Sequence, residues 1–82
     1  MERRLRVHDF DSSAIGRAAY DPDAETLDLW YRGGDRYRYF DVPEPMFDAL
    51  LAAPSAGEFV NREIKPGHRY EIEEPRRRFR PG

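Results

Sequence analysis

The sequence predicts an α+β fold, a small antiparallel β-meander of three to four strands packed against two short C-terminal helices. Three observations lead there. Apolar and polar residues alternate at period two through residues 26–31 and 36–41, on either side of Arg32-Gly33-Gly34-Asp35. Beyond Pro43 the period changes, and Met46, Phe47, Leu50 and Leu51 recur at helical spacing. The chain has 82 residues, enough for one domain with a thin core.

The elements follow in order. Residues 1–11 read as a flexible N-terminal arm, with an edge strand around Leu5 and Val7 as its one candidate element. The folded domain spans 12–74, and 75–82 read as a disordered basic tail that offers little to bury. Ser12-Ser13 opens a small-residue strand over 14–20 that must pack closely under something else. Asp21-Pro22-Asp23-Ala24-Glu25 is a turn by composition. In the next strand Leu27, Leu29 and Tyr31 share one face, and Thr26, Asp28 and Trp30 share the other. After the hairpin, Tyr37 and Tyr39 oppose Arg36, Arg38 and Phe40. Pro43 suits the first turn of a helix, where its missing N–H costs nothing. Pro54 stops that helix. Ser55-Ala56-Gly57-Glu58 has the form of a capping box for a second one, with Phe59, Val60 and Ile64 inward. Pro66-Gly67 ends it, and 68–74 is a candidate last strand with Tyr70 and Ile72 on one side.

Hairpin register decides what the Tyr-x-Tyr strand presents, because a one-residue slip flips every side chain. A two-residue Gly33-Gly34 turn sets Trp30 opposite Tyr37 and Asp28 opposite Tyr39, an exposed aromatic platform away from Leu27 and Leu29. A three-residue turn sets Tyr31 opposite Tyr37 and Leu29 opposite Tyr39, and both tyrosines join the leucine face. The second collects more apolar area on one side and is favoured. Helices on both faces, burying Trp30 as well, are the third arrangement.

Composition excludes several classes. There is no cysteine, so there are no disulfides or thiolate metal sites. His8 and His68 lie far apart in the chain, and no metal or other cofactor is expected. No apolar run approaches the roughly 18 residues that span a bilayer. The basic start, Met1-Glu2-Arg3-Arg4-Leu5-Arg6, has no apolar stretch behind it and is not a signal peptide, so a cytoplasmic location without membrane contact is expected. Net charge is −2, unevenly spread: residues 9–48 carry ten acids and four arginines, whereas 62–82 carry seven bases and four acids.

The ordered set Ser12-Ser13-x-Ile15, Tyr20-Asp21, Leu27-x-Leu29-x-Tyr31, Gly34, Tyr37-x-Tyr39, Val42-Pro43 and Ser55-x-Gly57-x-Phe59-x-Asn61-x-x-Ile64-Lys65 resembles the KTSC domain, from about Ser12 to Tyr70. That family is named for the C-terminus of some lysyl-tRNA synthetases. The resemblance implies a small bacterial-type domain for which RNA binding has been suggested and no catalytic residues are established. Two positions depart mildly: the family more often has phenylalanine at Tyr31 and an aromatic at Val60.

Candidate functional residues fall into one constellation. Trp30, Arg36, Tyr37, Arg38, Tyr39 and Phe40 interleave aromatics with arginines, which suits base stacking and phosphate contact. Arg62 and Lys65 extend it as a basic helix patch, and the Arg76–Arg80 run can add a sequence-independent tail. Ser55-x-Gly57 at a helix start can hold an anion, though Glu58 opposes it. No histidine or serine is spaced to complete a catalytic set with the paired acids, so an enzyme is not expected. Two partners remain: RNA on the sheet surface, or a protein on the same aromatic surface. A continuous positive face joining Arg36, Arg38, Arg62 and Lys65 favours RNA; an acid-lined aromatic patch favours protein.

Overall fold

The structure, a computed structural model, describes residues 4–73. Five strands form one antiparallel sheet in sequence order: β1 (Arg6–Asp9), β2 (Ile15–Asp21), β3 (Thr26–Tyr31), β4 (Arg36–Tyr39) and β5 (Tyr70–Glu73). The meander thus has one strand more than the upper expectation. Both outer candidates, around Leu5 and Val7 and over 68–74, are strands. The helices do not close the chain: α1 (Glu44–Ala52) and α2 (Ala56–Phe59) lie between β4 and β5. The Arg76–Arg80 run lies outside the described residues.

The core forms on one face of the sheet. Ile15, Ala18, Tyr20, Leu27, Leu29 and Tyr39 from the strands pack with Val42 and with Phe47, Leu50, Ala56, Val60 and Ile64 from the helical segment. Tyr20 stacks on Phe47 at 5.1 Å between centroids, and its hydroxyl donates to the Val42 carbonyl, which ends the sheet where α1 begins. Ala18, fully buried beneath this layer, explains why that strand needs a small residue on its inner face.

The hairpin register differs from both sequence alternatives. Leu29 pairs with Tyr37 and Leu27 with Tyr39, so the loop is Arg32-Gly33-Gly34. Gly34 N–H donates to the Tyr31 carbonyl and Tyr31 N–H to Asp35, both at 2.9 Å. Gly34 makes this closure possible with φ 108°, a left-handed conformation that side chains resist. The shift from the favoured alternative is two residues, which preserves the face. Tyr37 and Tyr39 therefore share the leucine side, as that alternative required.

The helical segment also departs in detail. Pro43 precedes α1 as its N-cap, and Pro45 occupies the first turn. Half of the capping box forms: the Ser55 hydroxyl accepts from Glu58 N–H at 3.3 Å, while the Glu58 carboxylate lies 3.9 Å from Arg62. A Cβ on Gly57 would come within 3.1 Å of Ala14 Cβ, so this position holds the helix close to β2. After α2 the backbone widens into a π-turn over Val60–Ile64, where Lys65 N–H donates to the Val60 carbonyl.

Burial raises the Tyr31 and Tyr39 phenols above their usual titration range, Tyr39 most strongly. Unfolded tyrosine ionises near pH 10. Above that pH the folded state holds protons that the unfolded chain has released, so stability is complete below it and falls as pH rises. The urea midpoint is expected to drop between about pH 9 and 11. An unchanged midpoint contradicts this placement of the two phenols.

Candidate nucleic-acid interface

The face opposite the helices carries Arg17, Ala19, Asp28, Trp30, Arg36, Arg38, Glu71 and Glu73, because these alternate with the core positions in register. Among the described residues no helix covers it. Its arginines are mostly neutralised. Arg38 grips Asp28 with two bonds of 2.7 and 3.0 Å, Arg36 pairs with Glu73 and approaches Asp28 at 3.9 Å, and Arg17 binds Asp9 at 2.7 Å. Arg17 holds the Asp9 carboxyl below its usual range. Exposed pairs of this kind add little stability.

Trp30 is half-buried at the centre of this surface. The Arg36 guanidinium lies 5.7 Å from its ring, while Arg69 covers Phe40 at 4.3 Å. Beside Trp30 is a depression of about 450 Å3, lined by Gly16, Arg17, Trp30, Tyr31 and Arg32. It opens where β2 slips register between Ile15 and Arg17. A Cβ at Gly16 would sit 3.6 Å from the Arg32 guanidinium, so a larger side chain there would fill the space.

Arg32 is held differently from its neighbours. The Ser12 hydroxyl accepts from Ala14 N–H at 3.1 Å and from Ile15 N–H at 3.4 Å, which turns the chain before β2. That turn presents the Ser12 carbonyl to Arg32 Nε and the Phe10 carbonyl to Nη2, both at 2.9 Å. Neutral acceptors therefore fix the guanidinium, and no carboxylate pairs with it among the described residues. A fixed, uncompensated guanidinium suits an incoming anion.

The predicted constellation is split between the two faces. Trp30, Arg36 and Arg38 lie together on the open face, while Phe40 lies just beyond the end of β4, against Arg69. Tyr39 is wholly buried and belongs to the core, so it cannot meet a base. Tyr37 lies on the helix side, 4.8 Å from Tyr31 and 5.5 Å from Tyr70 between centroids. Lys65 is there too, its ammonium 5.6 Å from the Tyr37 ring, and Arg62 is engaged with Glu63. No continuous positive face joins Arg36, Arg38, Arg62 and Lys65. Sequence reasoning missed Arg17, Arg32 and Tyr70. The alternation placed Arg17 on some strand face, but its position beside Trp30 depends on the bulge at Gly16. Among the described residues, no group of three or more histidine and carboxylate side chains is placed to hold a metal ion.

The KTSC domain family model matches residues 11–70. The chain belongs to the KTSC domain family. A protein of Tsukamurella paurometabola is 51% identical over 59 residues, which are 72% of this chain and 88% of that protein. A KTSC domain protein from Yersinia pestis has a crystal structure that is similar at TM-score 0.76 and 30% identity, covering 83% of this chain and 96% of that one. A lysine--tRNA ligase from a Nostoc species is 36% identical over 61 residues, 74% of this chain but 11% of the ligase. The KTSC domain is a small domain with no known catalytic role. Among the described residues, no helix is long and apolar enough to cross a membrane.

Proposed function

We propose that this KTSC domain binds single-stranded RNA, stacking an unpaired base on Trp30 and holding the adjoining phosphate with Arg32. One observation carries the reading: Arg32 is fixed by two backbone carbonyls, without a carboxylate, at the rim of a depression walled by an indole. A base offers a planar face to Trp30, and its phosphate supplies the counter-charge that Arg32 lacks. Arg17 and Arg36 flank the ring and can exchange their carboxylate partners for phosphate. The kinship of this chain to a segment of lysine--tRNA ligases supports an RNA partner.

A second reading has its own support. The Asp28, Glu71 and Glu73 carboxylates leave the open face without an excess of positive charge, which suits a protein partner. Salt separates the two. For one to three phosphate contacts, log affinity for a labelled mixed-sequence single strand is expected to fall against log salt with a slope of about −0.7 to −2. Fluorescence anisotropy at several salt concentrations measures it. Absence of binding at low salt sinks the RNA reading and leaves the protein one.

A further inference from the structure

On the opposite side of the same β3–β4 hairpin, three tyrosines and one lysine form a second cluster. Tyr37 and Tyr70 are nearly parallel, with 18° between planes and 5.5 Å between centroids. Tyr31 abuts Tyr37 at 4.8 Å. The Lys65 ammonium stands 5.6 Å from the Tyr37 ring and 5.7 Å from that of Tyr70. Lys65 has no carboxylate partner among the described residues. It reaches this position because the chain leaves α2 through the π-turn at Val60–Ile64, and such turns are frequent at functional sites. Tyr70 remains 37% exposed, with Ile72 beside it at 49%.

We infer that Tyr37, Tyr70 and Lys65 form a second stacking subsite, which takes another unpaired base of the same RNA strand and its phosphate. This deepens the RNA reading and rests on it. Tyr70 is the exposed ring of the stack, backed by Tyr37, and a base stacks on such a ring whatever its identity. The ammonium favours a partner that brings an anion. An apolar protein surface laid over Lys65 would strip water from an unpaired charge, which is costly. A nucleotide brings its own anion. The two subsites lie on opposite faces of one hairpin whose tip, Gly33, has open space around it. A single strand passing over that tip can fill both.

Oligouridine long enough to span the hairpin, on the order of ten nucleotides, is the probe. Tyr70→Ala and Lys65→Gln are each expected to weaken its binding about tenfold, as removal of one stacking or one phosphate contact does. Lys65 is half-buried and has no carboxylate partner among the described residues, so Lys65→Gln breaks no ion pair and keeps the test valid if Tyr70→Ala unfolds. A 4-thiouridine probe is expected to crosslink to the peptides holding Tyr37 or Tyr70. If the wild-type domain binds no oligouridine, both this subsite and the RNA reading fall. If it binds, and Trp30→Ala weakens it while Lys65→Gln and Tyr70→Ala do not, the subsite alone is overturned and the patch is left to a protein.

Discussion

On the RNA reading, Trp30→Ala is expected to weaken single-stranded RNA binding by about 5- to 150-fold, the equivalent of 1–3 kcal/mol for one lost stacking contact. The effect is large because Trp30 is the only indole in the chain and forms the wall of the depression beside Arg32. Trp30→Phe keeps a ring and is expected to recover most of that affinity. The fold tolerates both changes. Trp30 stands on the face that no helix covers, and it pairs across the sheet with Arg17 and Arg36, neither of them a core residue. Equal affinities of wild type and Trp30→Ala in an anisotropy titration contradict the stacking role.

Leu29→Ala acts on the other side of the same strand and on stability instead. Leu29 is fully buried between Ala18 and Tyr37 in register. Removing a buried leucine side chain costs about 2–5 kcal/mol, from lost transfer energy and the cavity left behind. A domain of this size has about 5 kcal/mol to lose, at the low end of the usual range. Leu29→Ala is therefore expected to leave about 0–3 kcal/mol, an unfolded fraction of up to about half at room temperature. Arg38→Ala, one position from Tyr39, breaks a half-exposed ion pair and leaves Asp28 beside Arg36, so it is expected to cost about 1 kcal/mol. Urea unfolding followed by circular dichroism measures both. A loss under 1 kcal/mol for Leu29→Ala would mean that the leucine face is not the core.

Most of the fold was legible because it depends on short-range patterns. The alternation through Leu27, Leu29 and Tyr31 marked the inner face, and the Met46 to Leu51 spacing marked α1. The register of the β3–β4 hairpin was not legible. It turns on Gly34 adopting φ 108° where Gly33 has no such requirement, and two adjacent glycines hide which one does so. Strands β1 and β5 were ambiguous for a related reason. Their residues are largely exposed, so pairing with β2 and β4 defines them more than burial does.

The site was less legible than the fold. Strand alternation put Trp30, Arg36 and Arg38 together correctly, but it could not show that Asp28 and Glu73 neutralise the arginines. Those contacts come from cross-strand neighbours, and for Glu73 from a strand that follows both helices. Arg32 looked like an ordinary hairpin residue. Its fixed position depends on carbonyls of Phe10 and Ser12, about twenty residues away in the chain, which meet it only after β1 and β2 pair. Tyr37 and Lys65 were named as parts of one surface with Trp30, whereas the sheet lies between them.

The measurement that tests the account most directly is Trp30 fluorescence during titration with mixed-sequence single-stranded RNA, at low and then at physiological salt. As the only tryptophan, Trp30 reports its own surroundings. Saturable quenching that weakens with added salt is the predicted result. Unchanged emission throughout the titration would contradict a base on Trp30 and turn the open face over to a protein partner.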